Sequence, residues 1–83
     1  MVKLCRMASM IDIEKLSNNI STKIQIERVK QNLSQEKLAE LAGISRSAVS
    51  SIELENSSPT IETLAKIANA FNLSLEEFFK FNF

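Results

Sequence analysis

Apolar residues between positions 20 and 80 recur at helical spacing. Ile61, Leu64, Ala65, Ala68 and Phe71 fall on one face of a helix, as do Leu38, Leu41 and Ala42, and Ala48, Val49 and Ile52. With Ile24 and Val29, these residues are expected to close a core around the helix that carries Val49. Four junctions share a second pattern. A residue that can pack precedes a serine or threonine, and an apolar residue follows four places after the hydroxyl. They are Leu33-Ser34 with Leu38, Ile44-Ser45 with Val49, Pro59-Thr60 with Leu64, and Leu73-Ser74 with Phe78. Each reads as an N-cap with a hydrophobic staple, because the side-chain oxygen takes up a free helix N–H while the flanking residues pack together. Ser74 and Glu77 add a capping box. These signals predict an all-α chain with five short helices, over about 21–31, 34–42, 45–55, 60–71 and 74–80.

Residues 1–19 break the pattern. Val2, Leu4, Met7, Met10, Ile11, Ile13 and Leu16 form no single stripe. Translation starting at Met7 or Met10 is one reading, and a partly helical arm packed on a partner is another. The expected division is an N-terminal arm over 1–19 and a helical domain with a C-terminal dimerisation segment over 20–83.

Composition narrows the function classes. One glycine and one proline in 83 residues favour helices over a many-turned β fold. No apolar run approaches the roughly 20 residues that span a bilayer, so no membrane role is expected. The opening "MVKLCRMASM" lacks the continuous apolar core of a secretory signal. A single cysteine, Cys5, allows no disulfide within the chain, which suits a reducing cytoplasm. With no histidine and one cysteine, the chain has little material for a metal site or a histidine-based triad. No enzyme activity and no cofactor are therefore expected. Acidic and basic residues balance at 10 each. Residues 20–58 are balanced too, with Lys23, Arg28, Lys30, Lys37 and Arg46 against Glu27, Glu36, Glu40, Glu53 and Glu55. Any binding to nucleic acid must then come from the placement of charge, not its total.

The stretch "LAGISRSAVSSIE" holds Gly43, the sole glycine. A glycine just past a helix end takes positive φ without steric cost. A helix, a short turn with glycine and a second helix is the outline of a helix-turn-helix, and also of an ordinary αα-corner.

The run "IERVKQNLSQEKLAELAGISRSAVSSIE", followed by "PTIETLAKIANAFNLSLEEFF", resembles the lambda-repressor-like, or Xre-type, helix-turn-helix family. The likeness covers residues from about 20 to 79, with "LSQEKLA", "GIS…VSSIE", "P…TLAKIA" and "SLEEFF" in the family order. It implies five short helices and a dimeric transcriptional regulator, usually a repressor, that binds a double-stranded DNA operator. It further implies that Arg46, Ser47 and Ser51 face base edges, with Ser45 and Ser50 at the margin. Gln35, with Ser34 and Lys37 around the start of the second helix and Asn56 and Ser57 after the third, would meet the DNA backbone. Arg28 and Glu53 match a buried ion pair of structural role, suited to the planar guanidinium. Spacing agrees with the base-facing set: the short serines stand opposite Val49 and Ile52, and Arg46 is the one long cationic donor there, suited to guanine O6 and N7.

Two features depart from or extend that pattern. After "IE" the family usually has a glycine and a basic residue. Here Glu55 and Asn56 occupy those places. A carboxylate near phosphates weakens binding, and Asn56 is expected to take a left-handed conformation and end the helix one residue later. The tail "EEFFKFNF" carries four of the five aromatics. Phe78 is the expected staple partner of Leu73. Phe81 and Phe83 alternate as in a strand, and Phe79, Phe81 and Phe83 are assigned to a homodimer interface, against the alternative that the tail folds over its own core. A protein-interaction module on the same fold, binding a protein partner in place of DNA, is the second functional reading; neutral charge and the phenylalanine tail favour it.

Overall fold

The computed structural model describes residues 12–83. Five helices follow one another: α1 Ile13–Lys30, α2 Gln35–Ala42, α3 Arg46–Glu53, α4 Ile61–Ala70 and α5 Leu75–Phe78. No strand occurs among the described residues. The methionine starts and Cys5 lie outside the described residues. α2 packs on α3 and α4, α1 crosses α3, and α5 closes against α4.

Four of the caps are those expected from the sequence. Ser34, Ser45, Thr60 and Ser74 have extended backbone, and their side chains accept from the N–H of Lys37, Ala48, Thr63 and Glu77. Each satisfies a donor that the first helical turn leaves open. The fifth cap was missed. α1 starts at Ile13, not at 21, because Asp12 caps it by accepting from Lys15 N at 3.0 Å. Two ends also fall short of expectation: α3 stops at Glu53 and α5 at Phe78.

The ends are built alike. Asn32, Gly43, Glu55 and Asn72 all have positive φ, between 56° and 73°. At each, the residue's own N–H and the next N–H turn back onto carbonyls of the last helical turn, as Gly43 N to Glu40 O and Ile44 N to Ala39 O. These are Schellman ends. The left-handed residue after α3 is Glu55, φ 61°, and not Asn56, whose N–H bonds to Ser51 O at 2.8 Å. Helix α3 ends one residue earlier than the expectation at Asn56 required, so the left-handed position falls on the glutamate. Glutamate there carries a backbone cost of about 1–2 kcal/mol that glycine avoids.

The core gathers Ile20, Ile24, Leu38, Ala39, Ala42, Val49, Ile52, Leu64, Ile67, Ala68, Phe71 and Phe78. Three residues expected there are exposed: Val29 at 66%, Leu41 at 51% and Ile61 at 78%. The buried stripe of α2 runs through Leu38, Ala39 and Ala42, which leaves Leu41 about 100° to one side. On α1 the stripe is Ile20, Ile24 and Glu27, and Val29 points away from it. Ile61 opens α4 a turn before its first buried residue, Leu64.

The shortest helix depends on a carboxylate. Ser74 N–H donates to Glu77 Oε1 at 3.0 Å and its hydroxyl at 3.3 Å, which hold the Glu77 carboxyl below its ordinary pKa. A depressed pKa adds stability above the unfolded value and loses it as pH falls through the folded one. Acidification through the carboxylate range should therefore loosen the start of α5. Amide exchange at Phe78 and Phe79 in the wild type and in Glu77→Gln would check this; a variant with the same acid response as the wild type would refute it.

Candidate nucleic-acid interface

The turn between α2 and α3 decides how α3 is presented. A Cβ on Gly43 would meet nothing within 4 Å, so space does not demand glycine there; the φ of 73° favours it, because any other residue would be strained. Ile44 tucks toward the core, and Ser45 opens α3.

Val49, Ile52 and Glu53 are buried on the inner side of α3. Arg46 and Ser47 are exposed, and Ser50 and Ser51 are half-buried. At 100° per residue, Ser47, Ser50 and Ser51 share the outer face with Arg46 at its edge. Ser45 Oγ accepts from Ala48 N at 3.1 Å as the cap of α3 and lies 3.4 Å from Ser47 Oγ. Arg46, Arg28, Ser34, Gln35 and Glu36 line one shallow polar cleft between the starts of α2 and α3. Glu36 was not singled out by the sequence reading.

Behind that cleft lies a carboxylate on which three helices converge. Arg28 of α1 grips Glu53 with Nε at 2.8 Å and Nη2 at 3.2 Å, and its Nη1 donates to Leu33 O at 3.0 Å. Gln35 of α2 donates Nε2 to the same carboxylate at 3.0 Å. A carboxylate only accepts, so the amide nitrogen of Gln35 must face it, and the second N–H of that nitrogen remains available. The backbone carbonyl of Glu53 accepts from Ser21 Oγ at 2.8 Å and Gln25 Nε2 at 3.2 Å. Among the described residues no buried side-chain polar atom lacks a partner. Ser21, Gln25 and Asn18 were missed, though their polar stripe at positions 18, 21 and 25 has helical spacing.

The remaining candidates are spread around this centre. Lys37 is exposed and pairs with Glu40 at 3.4 Å. Asn56 and Ser57 are exposed beyond α3. In the tail, Phe81 packs on the core, while Phe79 and Phe83 are 39% and 57% exposed. The rings of Phe78, Phe79, Phe81 and Phe83 contact in sequence with centroids 5.5–6.0 Å apart. Residues 80–83 have no regular structure, so the strand expected from the alternation is absent; Lys23 Nζ holds the tail by donating to Lys80 O at 3.2 Å. Among the described residues no group of acidic, cysteine or histidine side chains is placed to hold a metal, and no helix is long and apolar enough to cross a membrane.

Capped α2, a left-handed turn and capped α3 with a polar outer face define a helix-turn-helix unit. The HTH_3 family model, described as helix-turn-helix, matches residues 24–78, and the chain belongs to that family. The HTH-type transcriptional regulator PuuR of Escherichia coli (strain K12) is 50% identical over 52 residues, which are 63% of this chain and 28% of PuuR. The HTH-type transcriptional regulator SutR of the same organism is 36% identical over 66 residues, 80% of this chain and 37% of SutR. The chain thus spans well under half the length of both. A mutant of the restriction-modification controller protein C.Esp1396I superposes with a TM-score of 0.75 at 31% identity, over 78% of this chain and 84% of that one.

Proposed function

We propose that the chain is a sequence-specific DNA-binding transcriptional regulator, acting as a homodimer and as a repressor, with α3 in the major groove. The observation that carries the reading is the outer face of α3, where exposed Arg46 stands beside three short serines. A helix with such a face enters a groove about 12 Å wide without clashing, and Arg46 can grip guanine O6 and N7. Ser47, Ser50 and Ser51 would meet neighbouring base edges. The free N–H of Gln35, the α2 N-terminus, Lys37 and the Asn56–Ser57 turn would fix the register on phosphates. The exposed Phe79 and Phe83 supply the dimer contact, and two copies of α3 would then address half-sites about 34 Å apart. Repression would follow from an operator that overlaps a promoter. No catalytic step is involved, and a cytoplasmic setting fits.

The test is fluorescence anisotropy with duplexes from upstream of its own gene at 50 and 200 mM salt. Saturable binding to one duplex, weakened at least tenfold at the higher salt, is expected. The exposed phenylalanines and the zero net charge favour one other reading, a module that binds a protein through the tail. Selection from random DNA that enriches no sequence would turn the assignment to that module.

A further inference from the structure

We propose that Glu55, held in place by Asn18, is an electrostatic brake on DNA affinity. The inference rests on the groove-binding reading and deepens it. α3 has eight residues, so it is about 12 Å long, the width of the major groove. When its first residues reach base edges, the turn that follows it lies at the sugar-phosphate wall. That turn, Leu54-Glu55-Asn56-Ser57-Ser58, is exposed throughout and bears one charge, a negative one.

Three observations describe how that charge is presented. The Schellman bonds Glu55 N to Ile52 O, 3.0 Å, and Asn56 N to Ser51 O set the backbone. The left-handed φ of 61° persists although a glutamate is there, while the three equivalent turns use Asn32, Gly43 and Asn72. Asn18 Nδ2 donates to Glu55 Oε2 at 3.1 Å, which orients the carboxylate from α1. Asn18 lies outside the family-matched stretch, so this tether belongs to the part of α1 that precedes it. Ser57 and Ser58 keep hydroxyls beside the same wall, so the turn attracts phosphate with neutral donors and repels it with one tethered carboxylate. Generic DNA affinity is almost wholly electrostatic, so one fixed anion at the wall lowers it directly.

The test compares the wild type, Glu55→Gln and Glu76→Gln, matched for fold by circular dichroism and melting. Glu55→Gln keeps an acceptor for Asn18 and removes the charge. Glu76→Gln changes net charge equally on α5. Each is titrated with a generic 20-base-pair duplex at several salt concentrations. Glu55→Gln should bind about fivefold more tightly at low salt, with the gain shrinking as salt rises, and Glu76→Gln should shift less than twofold. Equal binding by the wild type and Glu55→Gln overturns the brake. So does an equal gain in Glu76→Gln, because the effect would then be net charge alone. The groove-binding reading fails separately, when the wild type selects no sequence.

Discussion

Glu53→Ala should cost about 3 kcal/mol of folding stability and lower the melting temperature by roughly 15 °C. The glutamate is 8% exposed and its carboxylate takes donors from Arg28 and Gln35. Removing it leaves a guanidinium and an amide without their acceptor. The Arg28 side chain keeps 19% of its surface, so water recovers part of the loss, and the estimate stays at the lower end for a broken buried pair. Glu53→Gln retains the shape and accepts one bond, so it should lose less. Arg28→Lys cannot grip with two parallel bonds and should also lose less than the truncation. Denaturant melts of the three variants would check the order. A Glu53→Ala protein within 1 kcal/mol of wild type would show that the junction of α1, α2 and α3 does not depend on this carboxylate.

Arg46→Ala should leave the melting temperature within about 2 °C of wild type and weaken binding to the selected operator by roughly 10- to 100-fold. Arg46 is exposed at the first position of α3 and, among the described residues, makes no ion pair. Its removal therefore leaves the packed core untouched. One bidentate contact to guanine is worth about 1–3 kcal/mol of discrimination. The decisive readout is not the loss alone. Replacing the guanine that Arg46 meets should weaken the wild type strongly and the variant little. A variant that weakens on every duplex by the same factor would assign Arg46 to a phosphate instead.

The two residues differ in how far the sequence reveals them. Arg46 is legible because its neighbours are local: Gly43, Ser45 and the Val49–Ile52 stripe orient α3 by rules that act within a few residues. The caps Ser34, Ser45, Thr60 and Ser74 are legible for the same reason, and with them all five helices and their order. The cap at Asp12 obeys the same rule, but residues 1–19 carry no clean stripe to mark the helix that it starts. Glu53 is different. The family likeness pairs it with Arg28, but nothing local brings Gln35, Ser21 and Gln25 to the same residue from two other helices.

By itself the sequence determined the all-α class, the capped starts, the glycine turn and the polar outer face of α3, because hydrogen bonds and side-chain periodicity set these over one or two turns. Tertiary structure decided where the core departs from those sequence stripes. Leu41, Val29 and Ile61 have the right chemistry but no helix packs over them, while Ala39 and Ile67 do meet one. It also decided that Glu55 takes the left-handed position: the N–H groups of Glu55 and Asn56 turn back onto Ile52 O and Ser51 O, which ends α3 at Glu53. Finally, it brought Phe81 onto the core and left Phe79 and Phe83 exposed, since the tail packs against residues far from it in the chain and meets Lys23, 57 positions from Lys80, through a hydrogen bond.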